Sequence, residues 1–298
     1  MSFLELLAGF RTEAGNVFFQ LVTMLAQEMV VIAVVCWLYW CSSKKLAYSL
    51  AFSYFTSGLL VQGLKITFRI PRPWVLNPEF KAVESALPGA TGYSFPSGHT
   101  QSITALFGTF ALNVKKKSSK VLCFLVIFLV GFSRMYLGCH TPKDVIVSFL
   151  ITFLCTALCY HFIYRKDFFE GKEKNVLAVM IMICIFLIIY AFALYKTGVI
   201  MQEYAADCVK ASGAGAAFSI GFYIERTRLR FQPPSSSKDK ILLFISGIIL
   251  TLVIHIGLKK LLGASLFSSF IRYFFIVLWI TVLYPLIFTK YNLFHSTK

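Results

Sequence analysis

Acidic residues are scarce in this chain: thirteen Asp and Glu stand among 298 residues, against 29 Lys and Arg. Charged residues of both signs make up only 14% of the sequence, well under the roughly 25% of an ordinary soluble domain. That shortage excludes a water-soluble globular class, and it leaves little material for a site built on clustered carboxylates, since only Asp144 stands near a histidine at ligand spacing. Cysteine is present but unpatterned. Cys36, Cys41, Cys123, Cys155, Cys159, Cys184 and Cys208 fall inside apolar segments as small hydrophobes. Cys139 adjoins His140 without a second thiol, so neither a disulfide framework nor a zinc pattern is expected. No period of 20 to 50 residues repeats, which excludes a solenoid. The first twenty residues lack a positive n-region and a small-residue cleavage site, so no removable signal peptide is expected.

What the chain has instead is apolar length. It is 58% hydrophobic and 16% aromatic. Runs approaching the ~20 residues that cross a bilayer recur near 24–42, 46–64, 99–113, 119–138, 144–163, 175–197, 204–224, 240–258 and 269–289. Backbone groups in lipid must be satisfied within their own segment, and no alternating barrel pattern is present. The expected fold is therefore all-α, a polytopic membrane bundle of about eight or nine spans. Phe3, Leu4, Leu7, Phe10, Phe18 and Leu21 predict an N-terminal helix over 1–25 that lies in or enters the outer interface, an ordinary short first span being the equal alternative.

The net charge of +16 could suggest a nucleic-acid partner, but the basic residues form loop clusters rather than one stripe. Lys44 and Lys45, Lys115 to Lys117 with Lys120, Arg165 with Lys166, Lys172 and Lys174, Arg226 to Lys240, and Lys290 with Lys298 occupy alternate loops. These loops are expected on the cytoplasmic side. No nucleic-acid partner is expected. The partners expected are the bilayer and a lipid substrate, with a homo-oligomer left open. The charged break Arg165 to Lys174 separates a core over 26–163 from an accessory region over 164–298 with about four more spans. A flexible connector, Gln232 to Ser237, lies within the accessory region.

Three polar patches lie on the opposite, outward loops: Lys65 to Pro73, Pro96 to His99, and Ser133-Arg134 followed by His140 and Asp144. The loop 66–98 that joins two of them is rich in Pro and Gly, and Trp74, Phe80, Tyr93 and Phe95 are expected to anchor it at headgroup level. A phosphate ester brings negative charge that cations must meet, and phosphoryl transfer depends mainly on positioning and charge stabilisation. Lys65, Arg72 and Arg134 could converge on it if their helix ends cluster. His140 stands six residues after Arg134 and four before Asp144, a spacing at which the carboxylate can orient the imidazole of a covalent nucleophile. His99, in a turn built by Pro96 and Gly98, would protonate the departing oxygen and later activate water. Each residue also has a plainer reading. Asp144 suits the third position of a helix capped by Thr141 with Pro142 first, Pro-Ser-Gly-His could be a turn before a Thr100 cap, and Lys65 could snorkel at a membrane edge. Their conjunction on one face favours the site.

At these residues the chain resembles the PAP2 family, the type 2 phosphatidic acid phosphatases. The family signature is Lys, six residues, Arg-Pro; then Pro-Ser-Gly-His; then Ser-Arg, five residues, His, three residues, Asp. Every position is matched here, over a core of roughly 26–163. The resemblance implies that Lys65, Arg72 and Arg134 bind phosphate with help from Ser97 and Gly98. It implies that His99 is the acid and base, that His140 oriented by Asp144 is the nucleophile, and that the reaction needs no metal and no cofactor. Ser148 replaces the Gly that the family often has four residues after the Asp. The expectation is a metal-independent lipid phosphate or diphosphate hydrolase in a bacterial plasma membrane with its site outside. A lipid or anion transporter that uses the cations only for binding is the rival from another class, and a vanadium haloperoxidase-like enzyme the rival within chemistry; membrane burial counts against the second.

In the accessory region, Asp207 and Lys210 form an i,i+3 pair near the outer end of a span, read as a simple salt bridge, with lipid-headgroup binding or dimer packing as the alternative. Gly213, Ala217 and Gly221 at four-residue spacing predict a close helix contact. His161, His255 and His295 are read as structural or interfacial.

Overall fold

The computed structural model describes residues 2–291; His295 and Lys298 lie outside them. Among the described residues all regular structure is helical. In chain order the α-helices are α1 (Ser2–Gly9), α2 (Glu13–Met24), α3 (Glu28–Cys41), α4 (Lys44–Phe68), α5 (Pro73–Leu76), α6 (Gly98–Asn113), α7 (Lys117–Tyr136), α8 (Pro142–Cys159), α9 (Glu173–Lys196), α10 (Gln202–Ile224), α11 (Ser237–Leu262), α12 (Leu266–Leu278) and α13 (Tyr284–Tyr291). The expected apolar runs fall on α3, α4 and α6 to α12, most with ends shifted by a few residues. Among the described residues, six helical stretches are long and apolar enough to cross a membrane: Glu13–Cys41, Lys117–Tyr136, Pro142–Arg165, Glu173–Lys196, Ser237–Leu262 and Leu266–Lys290. The expected count of eight or nine also took in α4, α6 and α10. These have polar or short inner helices: Ser49, Ser53 and Ser57 are buried along α4, α6 has 16 residues, and α10 buries Ser212 and Ser219.

The chain forms two compact units. The first holds the chain up to Ile32 and Phe52–His161; the second holds Ala33–Ala51 and the chain from Phe162 onward. In the first unit α6 packs on α7 and α8, and α2 lies along α7. Small residues permit the approach: a Cβ on Gly131 of α7 would stand 2.9 Å from Val145 Cγ1 of α8. Hydroxyls then pair across the helices, with Ser53 and Thr156 at 2.5 Å, and Gln101 Nε2 donating to Ser57 Oγ at 2.9 Å and to the Tyr54 carbonyl at 3.0 Å.

The N-terminus is two helices rather than one. Thr12 breaks them, its Oγ1 accepting from Gly15 N–H at 3.1 Å to start α2. The long loop is pinned by its own aromatics, but inward: Phe80 and Phe95 are buried, and Trp74 packs against the cluster of Ala86, Tyr136, Leu137 and Cys139.

In the second unit α10 packs on α12 and α9. A Cβ on Gly213 would stand 2.6 Å from the Phe270 carbonyl oxygen, and one on Gly221 would strike the Thr281 side chain, while Ala217 between them is fully buried. The small-residue spacing thus marks a real contact, and Asp207 and Lys210 form their ion pair at 2.8 Å. Three helices continue into π turns, at Tyr160–Arg165, Glu225–Leu229 and Trp279–Leu283. Tyr39 OH and Trp40 Nε1 on α3 donate to the Thr281 and Ile280 carbonyls of the last of these, at 2.9 and 3.1 Å. Buried Glu225 opens the second, paired with Lys44 at 2.6 Å and bonded by Tyr48 OH.

Candidate active site

All three polar patches meet at one end of the first unit. Lys65 lies in the last turn of α4, Arg134 in the last turn of α7, and Ser97 caps α6. Gly138 makes the turn that delivers His140, with φ of +80° where a side chain would be strained and a Cβ would stand 2.7 Å from Arg11 Nη2. The Cys139 and His140 amides then fold back onto the Arg134 carbonyl at 2.9 and 3.2 Å. Arg134, His140 and Asp144 are each only 1% exposed.

His99 is not in a turn. It is the second residue of α6, because Ser97 rather than Thr100 takes the cap: Ser97 Oγ accepts from Thr100 N–H at 3.3 Å and from its hydroxyl at 3.0 Å, and the Ser97 carbonyl accepts from Gln101 N–H. The two first-turn amides left over belong to Gly98 and His99. Such a helix start is a natural anion site.

The Asp144 carboxylate caps α8 and also stands beside His140. Its Oδ2 accepts from Thr141 N–H at 2.8 Å in a full capping box with Pro142 at the helix start. The same oxygen accepts from Ser94 Oγ at 2.6 Å and lies 3.5 Å from His140 Nδ1. That last separation is too long for a good hydrogen bond, but a carboxylate there still favours the proton on Nδ1 and leaves Nε2 unprotonated.

Two of the cations also hold the loop. Arg72 donates to the carbonyls of Thr91 (2.5 Å), Gly92 (3.0 Å) and Cys139 (3.0 Å), and Lys65 donates to the carbonyl of Tyr93 at 2.6 Å. Three consecutive carbonyls of the loop thus face cations. Arg72 Nη1 lies 2.9 Å from His140 Nε2 and 3.5 Å from Nδ1, which places it across the ring edge rather than in line with one lone pair. Burial pushes the His140 pKa well below the usual histidine range, and the charges of Arg72, Lys65 and Arg134, with His99, push it the same way. His140 is accordingly a neutral imidazole at pH 7.

Arg134 is different. Its Nη1 donates to Thr23 Oγ1 of α2 at 3.2 Å, while Nε and Nη2 are buried with no hydrogen-bond partner. A guanidinium rarely keeps buried N–H groups unmatched, because each costs its full desolvation. Two parallel donors are the fork that a phosphate oxygen pair fits. Among the described residues no group of three or more His, Cys, Asp or Glu could hold a metal ion.

Residues 45–168 match the model of the PAP2 superfamily, and residues 209–297 match that of the PAP2 superfamily phosphatase, transmembrane extension. The chain belongs to the PAP2 superfamily. It is a multi-span membrane protein. Undecaprenyl-diphosphatase BcrC of Bacillus subtilis is 32% identical over 36% of this chain, and the chain spans only about half of that relative, 52% of its length. Sphingosine-1-phosphate phosphatase 2 of Mus musculus is 25% identical over 85% of this chain and 75% of its own. The crystal structure of Aquifex aeolicus LpxE is similar at 25% identity and a TM-score of 0.45, over 52% of this chain and 91% of that one.

The signature residues of this PAP2 chain are all brought together, and four others join them, three without any prior signal. Ser94 ties the loop to Asp144, and Thr23 holds Arg134. Arg11 donates to the Tyr136 carbonyl at 2.8 Å and to the Lys81 carbonyl at 2.6 Å, clamping the loop to the end of α7. Ser148, where PAP2 chains often carry Gly, donates to the Ser97 carbonyl at 2.6 Å and so fastens α8 to the cap of α6. Only Ser148 could have been suspected from the sequence, as a departure from the signature.

Proposed function

We propose that this protein hydrolyses a lipid phosphate or lipid diphosphate at the outer face of a bacterial plasma membrane, through a phosphohistidine on His140. The observation that carries this reading is the buried Arg134 fork, unmatched at Nε and Nη2, beside a neutral His140 held between Arg72 and Asp144. The phosphate would take the Arg134 fork, the Gly98 and His99 amides and the Ser97 hydroxyl, with Lys65 and Arg72 completing the positive field. His140 Nε2 attacks phosphorus as the P–O bond to the lipid breaks, and His99 gives its proton to the departing oxygen. Water then attacks phosphorus, His99 takes a proton from it, and the P–N bond breaks to release phosphate. Asp144 and Ser94 hold the imidazole in place while positive charge develops on it.

Three arguments support the reading. The PAP2 relatives above are named for a polyprenyl diphosphate and a sphingoid phosphate, both lipid phosphates. Along the sequence the basic loop clusters alternate with the loops that carry the site, the pattern a positive-inside topology with an outward site would have. Charge stabilisation is supplied by three cations and a helix start, which assigns no step to a metal. The test is phosphate release by the purified protein in EDTA from a panel of phosphatidic acid, phosphatidylglycerol phosphate, undecaprenyl diphosphate and sphingoid phosphates. His140→Ala should abolish release from every substrate while the protein stays folded; undiminished release by that variant removes the proposed nucleophile. Release that fails in EDTA and returns with a divalent ion refutes the metal-independent step.

A further inference from the structure

The second unit buries an arginine that the reaction at His140 does not use. Arg272 lies in α12, six residues past Leu266 and so about 9 Å into the helix at ~1.5 Å per residue. It is 8% exposed, within one of the helical stretches apolar and long enough to cross a membrane. Its Nε is buried with no hydrogen-bond partner, and Nη2 reaches only Ser269 Oγ, at a long 3.4 Å. It forms no ion pair with a carboxylate among the described residues; the ion pairs of this unit join Asp167, Glu173, Asp207 and Glu225 to Lys45, Arg226, Lys210 and Lys44. A cation buried in a span without a counter-charge is costly, and such residues mark ligand sites.

Its neighbours are cationic or polar as well. The guanidinium carbon stands 5.9 Å from the Tyr273 ring, and the His255 ring of α11 meets that same ring edge-on at 6.3 Å. Lys259 is one turn beyond His255 toward the α11–α12 turn. Gln202, at the start of α10, donates to the Ala264 carbonyl in that turn at 3.2 Å, which places this end of the unit opposite the Lys44–Glu225 pair.

We propose that Arg272, with Ser269 and His255 beside it, forms a second anion site that takes a phosphate group. The unmatched Nε and the adjacent Nη2 present the planar fork that suits phosphate oxygens better than a point charge would. Lys259, one turn beyond His255, adds positive charge on the same helix. The phosphate is carried by a membrane lipid or is free in solution, and the chemistry at Arg272 is the same for both. The inference rests on Arg272 and stands whether or not His140 is a nucleophile.

The test uses the full-length protein in detergent and reads the rise in melting temperature on titration with inorganic phosphate, with phosphatidic acid, and with diacylglycerol as the phosphate-free lipid. Arg134→Gln weakens the first site, and in that background the part of the rise that depends on Arg272 belongs to the second. There Arg272→Gln should abolish the component that Arg272 supplies, and Arg272→Lys should weaken its apparent affinity about ten-fold, the scale of one charge-assisted hydrogen bond. Loss with phosphatidic acid alone identifies a lipid headgroup as the source; loss with inorganic phosphate as well shows that the phosphate group suffices. An equal rise with diacylglycerol, or a rise unchanged by both Arg272 variants, overturns the proposal. If Arg272→Gln does not fold, the Arg272→Lys titration decides by itself.

Discussion

Thr23 should set the strength of the phosphate fork although it touches no reacting atom. It is 2% exposed on α2, and its hydroxyl oxygen accepts from Arg134 Nη1 at 3.2 Å. Thr23→Val keeps the shape and the β-branch but removes the acceptor. A hydrogen bond to a charged group contributes about 1.5–3 kcal/mol. At 3.2 Å the lower end applies, and a fork that can swing loses part of its alignment with the phosphate. A loss of about 1.5–2 kcal/mol corresponds to a fall of roughly 10- to 30-fold in kcat/KM. Steady-state phosphate release at varied lipid concentration measures it. Thr23→Ser restores the hydroxyl and should recover most of the activity, which a purely steric role would not predict. Wild-type kcat/KM in Thr23→Val, or equal defects in the Val and Ser variants, refutes the argument.

The depressed His140 pKa has two consequences. Activity should persist as pH falls through about 6.5, the ordinary histidine value, and the acid limb of the pH–rate profile should move toward neutrality in Arg72→Gln, which removes one of the charges that depress it. Stability has the same sign: the unfolded chain takes up this proton near pH 6.5 and the folded one does not, so stability is complete above that value and declines as pH drops from it toward the lowered pKa, as acid melts would read. Ser148→Ala removes the bond to the Ser97 carbonyl and should cost about 1 kcal/mol, because that carbonyl keeps the Gln101 amide; thermal melting checks it. Gly213→Ala forces a Cβ to within 2.6 Å of the Phe270 carbonyl oxygen and should cost about 1–3 kcal/mol by helix displacement, whereas Gly257→Ala, with nothing near its Cβ, should leave the melt unchanged or raised.

The helices and the signature were legible because both are local in sequence. Apolar runs report burial over one span, and Thr141-Pro142-Lys143-Asp144 announces its own capping box. What could not be read was long-range: Thr23 to Arg134, Arg11 to Tyr136 and Ser94 to Asp144 are single hydrogen bonds between distant segments, and an isolated Thr or Ser gives no periodic signal. The π turns were hidden for a related reason. One extra residue per turn leaves the hydrophobic pattern nearly intact, and the freed carbonyls find donors, Tyr39 and Trp40, on another helix. Nor does hydropathy reveal that Ala33–Ala51 belongs to the second unit while its flanks belong to the first.

The capping role of Asp144 and the orienting role proposed for it are compatible, while Lys65, buried and bonded to the Tyr93 carbonyl, is not a lysine snorkelling at a membrane edge. Asp144 is rigid because it caps α8, and a rigid carboxylate is what fixes an imidazole 3.5 Å away without a tight bond that would hold its proton. Lys65 and Arg72 are rigid because they hold the carbonyls of residues 91–93, and a cation already fixed loses little side-chain freedom when an anion arrives. Arg134 differs from them in keeping two donors unmatched, so affinity for the phosphate should concentrate there while the other two cations mainly shape the field. The scaffold and the proposed site then share side chains, and the scarcity of charge in the chain is no handicap, because Lys65, Arg72 and Asp144 each serve both.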